Sequence, residues 1–443
     1  MKFNLNLTYA TDIREEYSFR KILMAVDAVF TPLTLPCGLC LRNRLLRAAA
    51  FSGETVGDAR ATLGEAARGG AALVTLAYTS VSIDGRTFPS QFILNPASAP
   101  PDFASIAAAV HEGGALFSVQ LTHAGSFASR ALLPPGARGP LAPSSLFDLP
   151  TLGWPTAATE GDMARPVDDF AAAAAFAVGP RGGADAVELH LGHGYFLSQW
   201  LSPAFNVRGD GHGGSAAARA RFPLAVARAV RAAIGPQKAL FIKLNTHDGF
   251  SGGVTPADVA HTVRALAGEA GLCDGLVPSA GWVNRNGFFM LRGAVPRRGM
   301  VAALARTSAA KAAAMALLGK WLVPELPFSP GFLMEGARAV LAEARRGGVP
   351  VFAVGGFVAL EAVAQALGEG FSGVQMARAL IREPALPLRW AAAASGEPAP
   401  RGGAGAPSPC SHCNRCVLAA LTPAAPARCV ERDVEELEAQ AGK

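Results

Sequence analysis

The sequence carries little charge and no long uncharged apolar run. Only 17% of its 443 residues are charged, and 40 lysines and arginines stand against 34 acidic residues, a net charge of +6. The basic residues are scattered, whereas nucleic-acid and anionic membrane surfaces carry dense basic runs. The most apolar stretch, residues 300–326, is interrupted by Arg306, Lys311 and Lys320, so it falls short of the roughly 18 residues that span a bilayer. We expect a soluble protein that binds small anions, with no nucleic-acid partner and no membrane span.

The chain also lacks the usual targeting and disulfide patterns. Residues 1–29, which we treat as an N-terminal extension, contain Asp12, Glu15 and Glu16; this argues against an acidic-poor transit peptide, and no basic-then-apolar secretory pattern is present. Of seven cysteines, four lie between Cys410 and Cys429. This distribution suits one ligand cluster in a reducing compartment better than a disulfide framework. We therefore expect a cytoplasmic protein.

Eight short runs with strand character alternate with helical stretches along the chain. Strands joined by crossover helices form a parallel sheet, and eight such units at this length favour an α/β fold of the TIM (β/α)8 barrel type over an open doubly wound sheet. The predicted strands are residues 45–51, 71–78, 115–122, 184–190, 239–245, 274–279, 351–354 and 373–376. The barrel is expected to span residues 30–396. Residues 397–443 are expected to form a cysteine-rich C-terminal extension, made of a linker, the cysteine cluster and a helical tail.

Two long connections are expected to overhang the mouth of the barrel as loops. They are the region before Ala184 and residues 282–330, both longer than plain connections between a strand and a helix.

Alternation within the strands indicates which polar side chains point into the barrel. Successive side chains of a strand point to opposite faces, so the apolar faces of the third, fourth and fifth strands should meet the helices. Gln120, His190 and Lys243 lie on the opposite, polar faces, and Glu188 shares its face with His190. The first three are near strand C-terminal ends, where barrel enzymes keep their chemistry.

Two motifs at strand ends carry candidate chemistry. In residues 190–195, two imidazoles and a phenol surround two glycines, which favours a polar pocket over a simple turn. A zinc site is a further possibility here, but no third ligand follows at a familiar spacing. Gly355 and Gly356 follow the seventh strand, and Ala377 and Arg378 follow the eighth. These two loops commonly build a phosphate site from backbone N–H groups. A glycine pair alone more often marks a tight turn, but together with Arg378 it indicates a phosphorylated cofactor.

The cysteine cluster has the spacing C-x2-C-x2-C-x12-C, formed by Cys410, Cys413, Cys416 and Cys429. Four thiolates at such spacing suit an iron–sulfur cluster or a tetrahedral zinc. A segment that holds no metal is the third interpretation.

Six motifs between Phe30 and Val430 carry a family resemblance. They are Leu-Arg-Asn-Arg at 41–44, Val-Gln-Leu-Thr-His-Ala-Gly at 119–125, Ala-Pro-Ser at 142–144, His-Leu-Gly-His-Gly-Tyr at 190–195 with Leu-Ser-Gln-Trp-Leu-Ser-Pro at 197–203, Gly-Gly-Ser at 213–215, and Gln-Met-Ala-Arg-Ala-Leu at 375–380. In combination they resemble the Old Yellow Enzyme family, especially its NADH:flavin oxidoreductase branch related to 2,4-dienoyl-CoA reductase. The resemblance implies an FMN-dependent ene-reductase, which passes hydride from NADH or NADPH through FMN to the activated C=C bond of an unsaturated carbonyl substrate.

The resemblance also implies roles for single residues. Gln120 would hydrogen-bond the pyrimidine edge of FMN, and Lys243 would lie near N1 and O2, where a cation stabilises reduced flavin. The FMN phosphate would be held by Gly355, Gly356, Ala377 and Arg378. His190 and His193 would bind the substrate carbonyl oxygen as an oxyanion hole does, and Tyr195 would donate the proton.

Two departures from the family pattern leave alternatives open. Residues 48–50 are all alanine where relatives usually carry a Thr or Ser that hydrogen-bonds the flavin, so a non-catalytic flavin-binding barrel is one alternative. Intact His190, His193 and Tyr195 argue against it. The cysteine spacing is one residue shorter before Cys416 than in the dienoyl-CoA reductases, where four cysteines hold a four-iron, four-sulfur cluster. An iron–sulfur enzyme of that kind, supplied by a separate electron donor, is the other alternative.

Overall fold

The structure is a computed structural model in which eight parallel strands form one sheet. It describes residues 26–50, 55–98, 100–148, 151–306, 308–397, 405–421 and 428–441. The strands are β1 (Leu45–Arg47), β2 (Leu73–Ser80), β3 (Leu116–Thr122), β4 (Ala186–Leu191), β5 (Ala239–Asn245), β6 (Gly275–Ser279), β7 (Phe352–Val354) and β8 (Gly373–Met376). They pair in the order β6-β5-β4-β3-β2-β1-β8-β7. A parallel bridge between Leu276 and Val351 joins the two ends of this order, so the sheet closes and the predicted TIM barrel is confirmed.

Each predicted strand is present, and the bounds differ by a few residues. The largest difference is at β1, which ends at Arg47, whereas the prediction extended it to Phe51. That last residue lies outside the described residues, as do residues 1–25 of the predicted N-terminal extension.

Helices follow the strands and surround the barrel. Their bounds are α1 (Val56–Arg68), α2 (Ala104–Glu112), α3 (Glu160–Val178), α4 (Phe196–Leu201), α5 (Ala216–Ile234), α6 (Pro256–Gly268), α7 (Val283–Asn286), α8 (Phe288–Leu291), α9 (Arg297–Ala305), α10 (Ala309–Leu322), α11 (Met334–Ala344), α12 (Leu360–Gly368), α13 (Arg378–Arg382), α14 (Leu386–Ser395) and α15 (Val430–Ala441). Capping boxes start α1, α3 and α6: in each, a threonine caps the helix and an aspartate three residues later bonds back to it. Such a box satisfies two backbone donors and fixes where the helix begins. Among the described helices, none combines the length and apolarity needed to cross a membrane.

The core consists of two main apolar clusters. One lies between the barrel and its helices, and the other fills the inside of the barrel at one end. As the alternation predicts, Phe117, Val119 and Leu121 of β3 pack with the surrounding helices. Inside the barrel, Phe241 and Phe352 pack with residues from the starts of other strands. The short hairpin that pairs Leu33–Thr34 with Cys40–Leu41 adds to this second cluster. The N-terminal end of the barrel is therefore filled with apolar side chains, and the opposite end is left for a ligand.

The long connection of residues 282–330 is not a plain loop. It folds into α7, α8, α9 and α10, and the alanine-rich sequence of α10 explains the helix that we did not predict there. Residues of α7 and α8 line the cavity at the mouth, so the predicted overhang is present in helical form. Beyond the barrel, residues 405–421 lie against the same end: the Ser408 N–H donates to the Val358 carbonyl over 2.7 Å.

Candidate active site

A cavity of about 370 Å³ opens at the C-terminal end of the barrel. Strand ends supply its polar lining, and α8 and the C-terminal segment supply much of its apolar lining. Its walls include every predicted cofactor-binding and catalytic residue except Gly356, namely Gln120, His190, His193, Tyr195, Lys243, Gly355, Ala377 and Arg378. The fold thus brings together residues that lie up to 258 positions apart (378 − 120) in the sequence.

A network of four buried side chains lies at the centre of the barrel. The Glu188 carboxylate accepts hydrogen bonds from Gln120 Nε2 at 2.6 Å, Lys243 Nζ at 2.8 Å and Gln375 Nε2 at 2.8 Å. Lys243 Nζ also donates to Gln375 Oε1 at 2.9 Å. All four side chains are buried, so the ion pair is stable only because its donors and acceptors are met inside the protein. The network fixes where the Lys243 ammonium and the Gln120 amide stand.

Sequence reasoning did not assign a site role to Glu188 or Gln375. The alternation in β4 placed Glu188 on the inward face, and that was the available signal. Glu188 is 55 residues from Lys243 and 187 residues from Gln375 in the sequence. The sequence alone could therefore not show that these side chains pair.

The two histidines form a hydrogen-bonded chain with Ser279. His190 Nε2 lies 2.9 Å from His193 Nδ1, and His193 Nε2 lies 2.7 Å from Ser279 Oγ. His190 Nδ1 has no hydrogen-bond partner among the described residues. Burial and the charge of Lys243 lower the pKa of His193 to about 3. Burial, His193 and Lys243 hold the pKa of His190 well below its ordinary value. Both imidazoles are therefore neutral at neutral pH, and each carries a single N–H.

A left-handed backbone turn positions His193. Its φ is +59°, a conformation that side-chain-bearing residues rarely adopt. The His193 N–H donates to Asn245 Oδ1 at 2.9 Å, and the Asn245 amide in turn donates to Asp248 Oδ1 at 2.9 Å. The next residue is Gly194, where a Cβ atom would lie 2.4 Å from the Trp282 indole, so only glycine fits.

Tyr195 lies beside His190 in a buried aromatic group. The two rings are 4.5 Å apart between centroids and tilted by 33°, and Tyr78 contacts the Tyr195 ring edge-on at 5.2 Å. Burial raises the pKa of the Tyr195 phenol well above its ordinary value, and the nearby Tyr78 hydroxyl raises it further. Tyr195 thus keeps its proton at neutral pH.

Of the predicted phosphate residues, Arg378, Ala377 and Gly355 line the cavity, and Gly356 does not. Gly355 and Gly356 have φ values of +107° and +82°, so both need glycine. The Arg378 guanidinium donates to the Arg292 carbonyl at 3.1 Å, to the Leu291 carbonyl, and to Asn414 Oδ1. The guanidinium lies between the cavity and the cysteine segment. Some of its N–H groups already donate to protein oxygens. The phosphate role of Arg378 stays a prediction.

Comparison with known proteins identifies the family. Residues 28–274 match the NADH:flavin oxidoreductase / NADH oxidase family. The chain belongs to this family. The 4,4'-dithiodibutanoate disulfide reductase of Rhodococcus erythropolis is 34% identical over 411 residues, which cover 92% of this chain and 95% of the relative. The multifunctional alkene reductase/demethylase OYE of Caballeronia cordobensis is 29% identical over 231 residues, 51% of this chain and 33% of the relative.

Solved structures share the fold of this chain. Morphinone reductase in complex with tetrahydroNAD has a TM-score of 0.60 at 23% identity, covering 85% of this chain and 95% of that one. A complex of 2-naphthoyl-CoA reductase with 2-naphthoyl-CoA has a TM-score of 0.70 at 20% identity. That alignment covers 88% of this chain, which spans about half (54%) of the reductase. The chain is an Old Yellow Enzyme type oxidoreductase that depends on FMN and NAD(P)H.

The cysteine segment of this family member lies beside the active-site cavity, and Cys416 is part of the cavity wall. Burial raises the pKa of Cys416 to about 12, and Arg378 opposes this rise. His412 and Asn414, which alternate with the cysteines, both have a φ of +58°. Within the described ranges, no three or more His, Cys, Asp or Glu side chains are grouped closely enough to hold a metal ion. The metal cluster of Cys410, Cys413, Cys416 and Cys429 stays a prediction.

The central network predicts strong coupling between Glu188 and Lys243. Glu188→Leu leaves a buried ammonium unpaired, and Lys243→Met leaves a buried carboxylate unpaired, so each variant should lose about 3–5 kcal/mol of unfolding free energy. The double variant buries neither charge and should lose less than the sum of the two. Urea denaturation of the flavin-free proteins measures this difference as a coupling energy. Strictly additive losses would show that the ion pair does not organise the network.

The lowered histidine pKa values predict how stability depends on pH. The unfolded state binds protons at its histidines below about pH 6.5, whereas folded His193 stays neutral down to about 3. The stabilisation is therefore complete above pH 6.5 and decreases as the pH falls from there toward 3. Replacing the imidazole in His193→Asn should make this decrease shallower, and thermal unfolding at a series of pH values would measure it. Equal slopes for the two proteins would contradict the neutral assignment.

Proposed function

We propose that this enzyme reduces a C=C bond conjugated to a carbonyl group, with hydride from NADH or NADPH passed through FMN. The observation that carries the proposal is one shared cavity. It holds a neutral histidine pair, a protonated Tyr195 in contact with His190, and the Lys243 ammonium beside the Gln120 amide.

The residues of the cavity fit FMN. Gln120 offers the donor and acceptor that the pyrimidine edge needs, and Lys243 supplies a positive charge beside them. Gly355, which lines the cavity, would offer its backbone N–H to a phosphate. The phosphate would be held by Gly355, Gly356, Ala377 and Arg378. When bound here, FMN supplies the hydride. Residues 48–50 also line the cavity, and as alanines they contribute no hydroxyl to it.

The histidine chain determines which donor faces the substrate. A neutral imidazole has one N–H, so only one proton lies between His190 Nε2 and His193 Nδ1. If His193 carries it, His190 Nδ1 is left protonated and able to donate to a carbonyl oxygen. In that tautomer the Ser279 hydroxyl donates to His193 Nε2. We propose this tautomer for the active enzyme, because the His190 N–H then stabilises negative charge developing on the substrate oxygen.

Tyr195 completes the reaction by protonating the α-carbon of the substrate. Its phenol stays protonated at neutral pH, and the ring contact with His190 keeps it next to the group that binds the carbonyl. A scaffold that only holds flavin needs neither feature, which is why we do not favour a non-catalytic barrel.

Reduction of a disulfide is a second candidate, favoured by one observation. The relative that matches 92% of this chain is named a 4,4'-dithiodibutanoate disulfide reductase. Steady-state assays of the same preparation with cyclohexenone and with 4,4'-dithiodibutanoate would rank the two substrates. We expect a higher kcat/KM for the enone, because Tyr195 and the histidine pair serve a carbonyl group.

We keep the iron–sulfur cluster as a proposal for Cys410, Cys413, Cys416 and Cys429, with zinc as the alternative metal. Support comes from the spacing of the four cysteines and from the nearby Arg378 cation, which partly opposes the rise that burial causes in the pKa of Cys416. The described cysteines form no disulfide, which suits the reducing cytoplasm that we propose as the location.

The proton donor is tested by Tyr195→Phe. This variant should reduce its flavin with NADPH at nearly the parent rate, because that half-reaction needs no proton from the phenol. Its reoxidation by cyclohexenone should slow by about 10²–10⁴, the usual contribution of a general acid. Anaerobic stopped-flow absorbance separates the two steps. Equal slowing of both steps, or of neither, would remove Tyr195 from this role.

The cysteine proposal is tested by elemental analysis after anaerobic purification. Iron together with acid-labile sulfide is expected in stoichiometric amounts, and Cys413→Ser should lose both because a thiolate ligand is missing. Cys273→Ser is the matched control, since that buried thiol lies outside the segment. If zinc is found and sulfide is absent, the segment binds zinc and the iron–sulfur assignment is wrong. Trace metal with freely titratable thiols would exclude both.

A further inference from the structure

A second cavity, of about 460 Å³, lies next to the active-site cavity. The two share Leu333 as a wall. The short helix α8 stands between them: Met290 and Leu291 line the first cavity, whereas Phe289 lines the second. A helix with its side chains is about 10–12 Å across. A ligand that occupies both cavities must therefore be longer than this.

The second cavity combines aromatic faces with a cation. The Arg292 guanidinium lies 4.8 Å from the centroid of the Phe289 ring and 5.6 Å from that of Phe332. The His247 ring lies 5.7 Å from Phe289 and is nearly parallel to it, at 28°. The Phe289 ring is therefore covered by its neighbours, and His247 and Phe332 remain as aromatic wall for a base. A guanidinium binds phosphate through charge-assisted hydrogen bonds.

The backbone holds Arg292 in an unusual conformation. Its φ is +55°, which is costly for a residue with a side chain and is typical of functional sites. Its carbonyl accepts hydrogen bonds from Arg378 at 3.1 Å and from the Asn414 amide at 2.9 Å. One guanidinium donor, Nε, is used by the Phe289 carbonyl at 3.2 Å, out of the five that arginine carries. Glu335 also lines the cavity, and its carboxylate opposes an anion there.

We propose that the second cavity binds the adenosine phosphate part of a nucleotide ligand whose reactive end lies in the active-site cavity. The proposal rests on the proposed function, since the reactive end must meet the flavin. Two ligands share this chemistry, the reductant NADPH and a coenzyme A thioester of the unsaturated acid. Arg292 pairs with the phosphate, and the adenine packs against the wall that His247 and Phe332 form.

The reductant is tested with Arg292→Gln in the reductive half-reaction. The Kd for NADPH should rise about ten- to a hundredfold, the loss of one charge-assisted contact. Flavin reduction by benzyl dihydronicotinamide, which has no adenosine, should stay at the parent rate. Glu335→Gln should act in the opposite direction and lower the Kd for NADPH. Lys320→Gln is the matched control, because this exposed lysine of α10 lines neither cavity.

The thioester is tested in the oxidative half-reaction of the same variants. One outcome is that Arg292→Gln raises the Kd for crotonyl-CoA while the reaction with cyclohexenone and the Kd for NADPH stay at the parent values. In that case the second cavity binds the thioester. Unchanged Kd values for both nucleotides overturn the proposal, even in an enzyme that turns over normally. If the parent protein reduces no enone, the proposed function fails, and calorimetry with adenosine 2′,5′-bisphosphate still decides about the cavity. Weaker binding by Arg292→Gln supports the proposal, and equal binding overturns it.

Discussion

The buried ion pair between Glu188 and Lys243 is the interaction on which the site depends. Two charges inside a barrel are stable only when every donor and acceptor around them is used, and Gln120 and Gln375 complete that set. The pair therefore restricts four strands to one arrangement at the level of the cavity floor. It also leaves the ammonium and an amide at the cavity wall, where a flavin edge needs them. Stability and cofactor recognition thus come from the same four side chains.

The charge of Lys243 extends its influence to the catalytic groups. The Lys243 charge helps to keep His190 and His193 neutral. Each neutral imidazole can both donate and accept a hydrogen bond, so the two rings and Ser279 form a hydrogen-bonded chain. Burial also keeps the phenol of Tyr195 protonated. The reactivity of each group therefore follows from where the fold places it.

Much of the fold and part of the site could be predicted from the sequence, for a physical reason. Strand alternation is a local pattern, so it placed Gln120, His190 and Lys243 inside the barrel without knowledge of their neighbours. Partners that meet only after the barrel closes, such as Gln375 with Glu188 or Ser279 with His193, leave no local signal. The same holds for Arg378, whose contacts with α8 and Asn414 depend on how the long connection folds. The helices of residues 282–330 were not predicted, because the length of this connection favoured a loop. Its alanines are the signal that favours helix.

The central claim is that one cavity carries both hydride transfer from a nicotinamide and reduction of an enone. The most direct measurement follows the flavin absorbance of the purified protein under anaerobic conditions, first with NADPH and then with cyclohexenone. We expect NADPH to bleach the blue flavin band and cyclohexenone to restore it, with one saturated ketone formed for each flavin reoxidised. A band that bleaches with NADPH but stays bleached after the enone is added would contradict the claim.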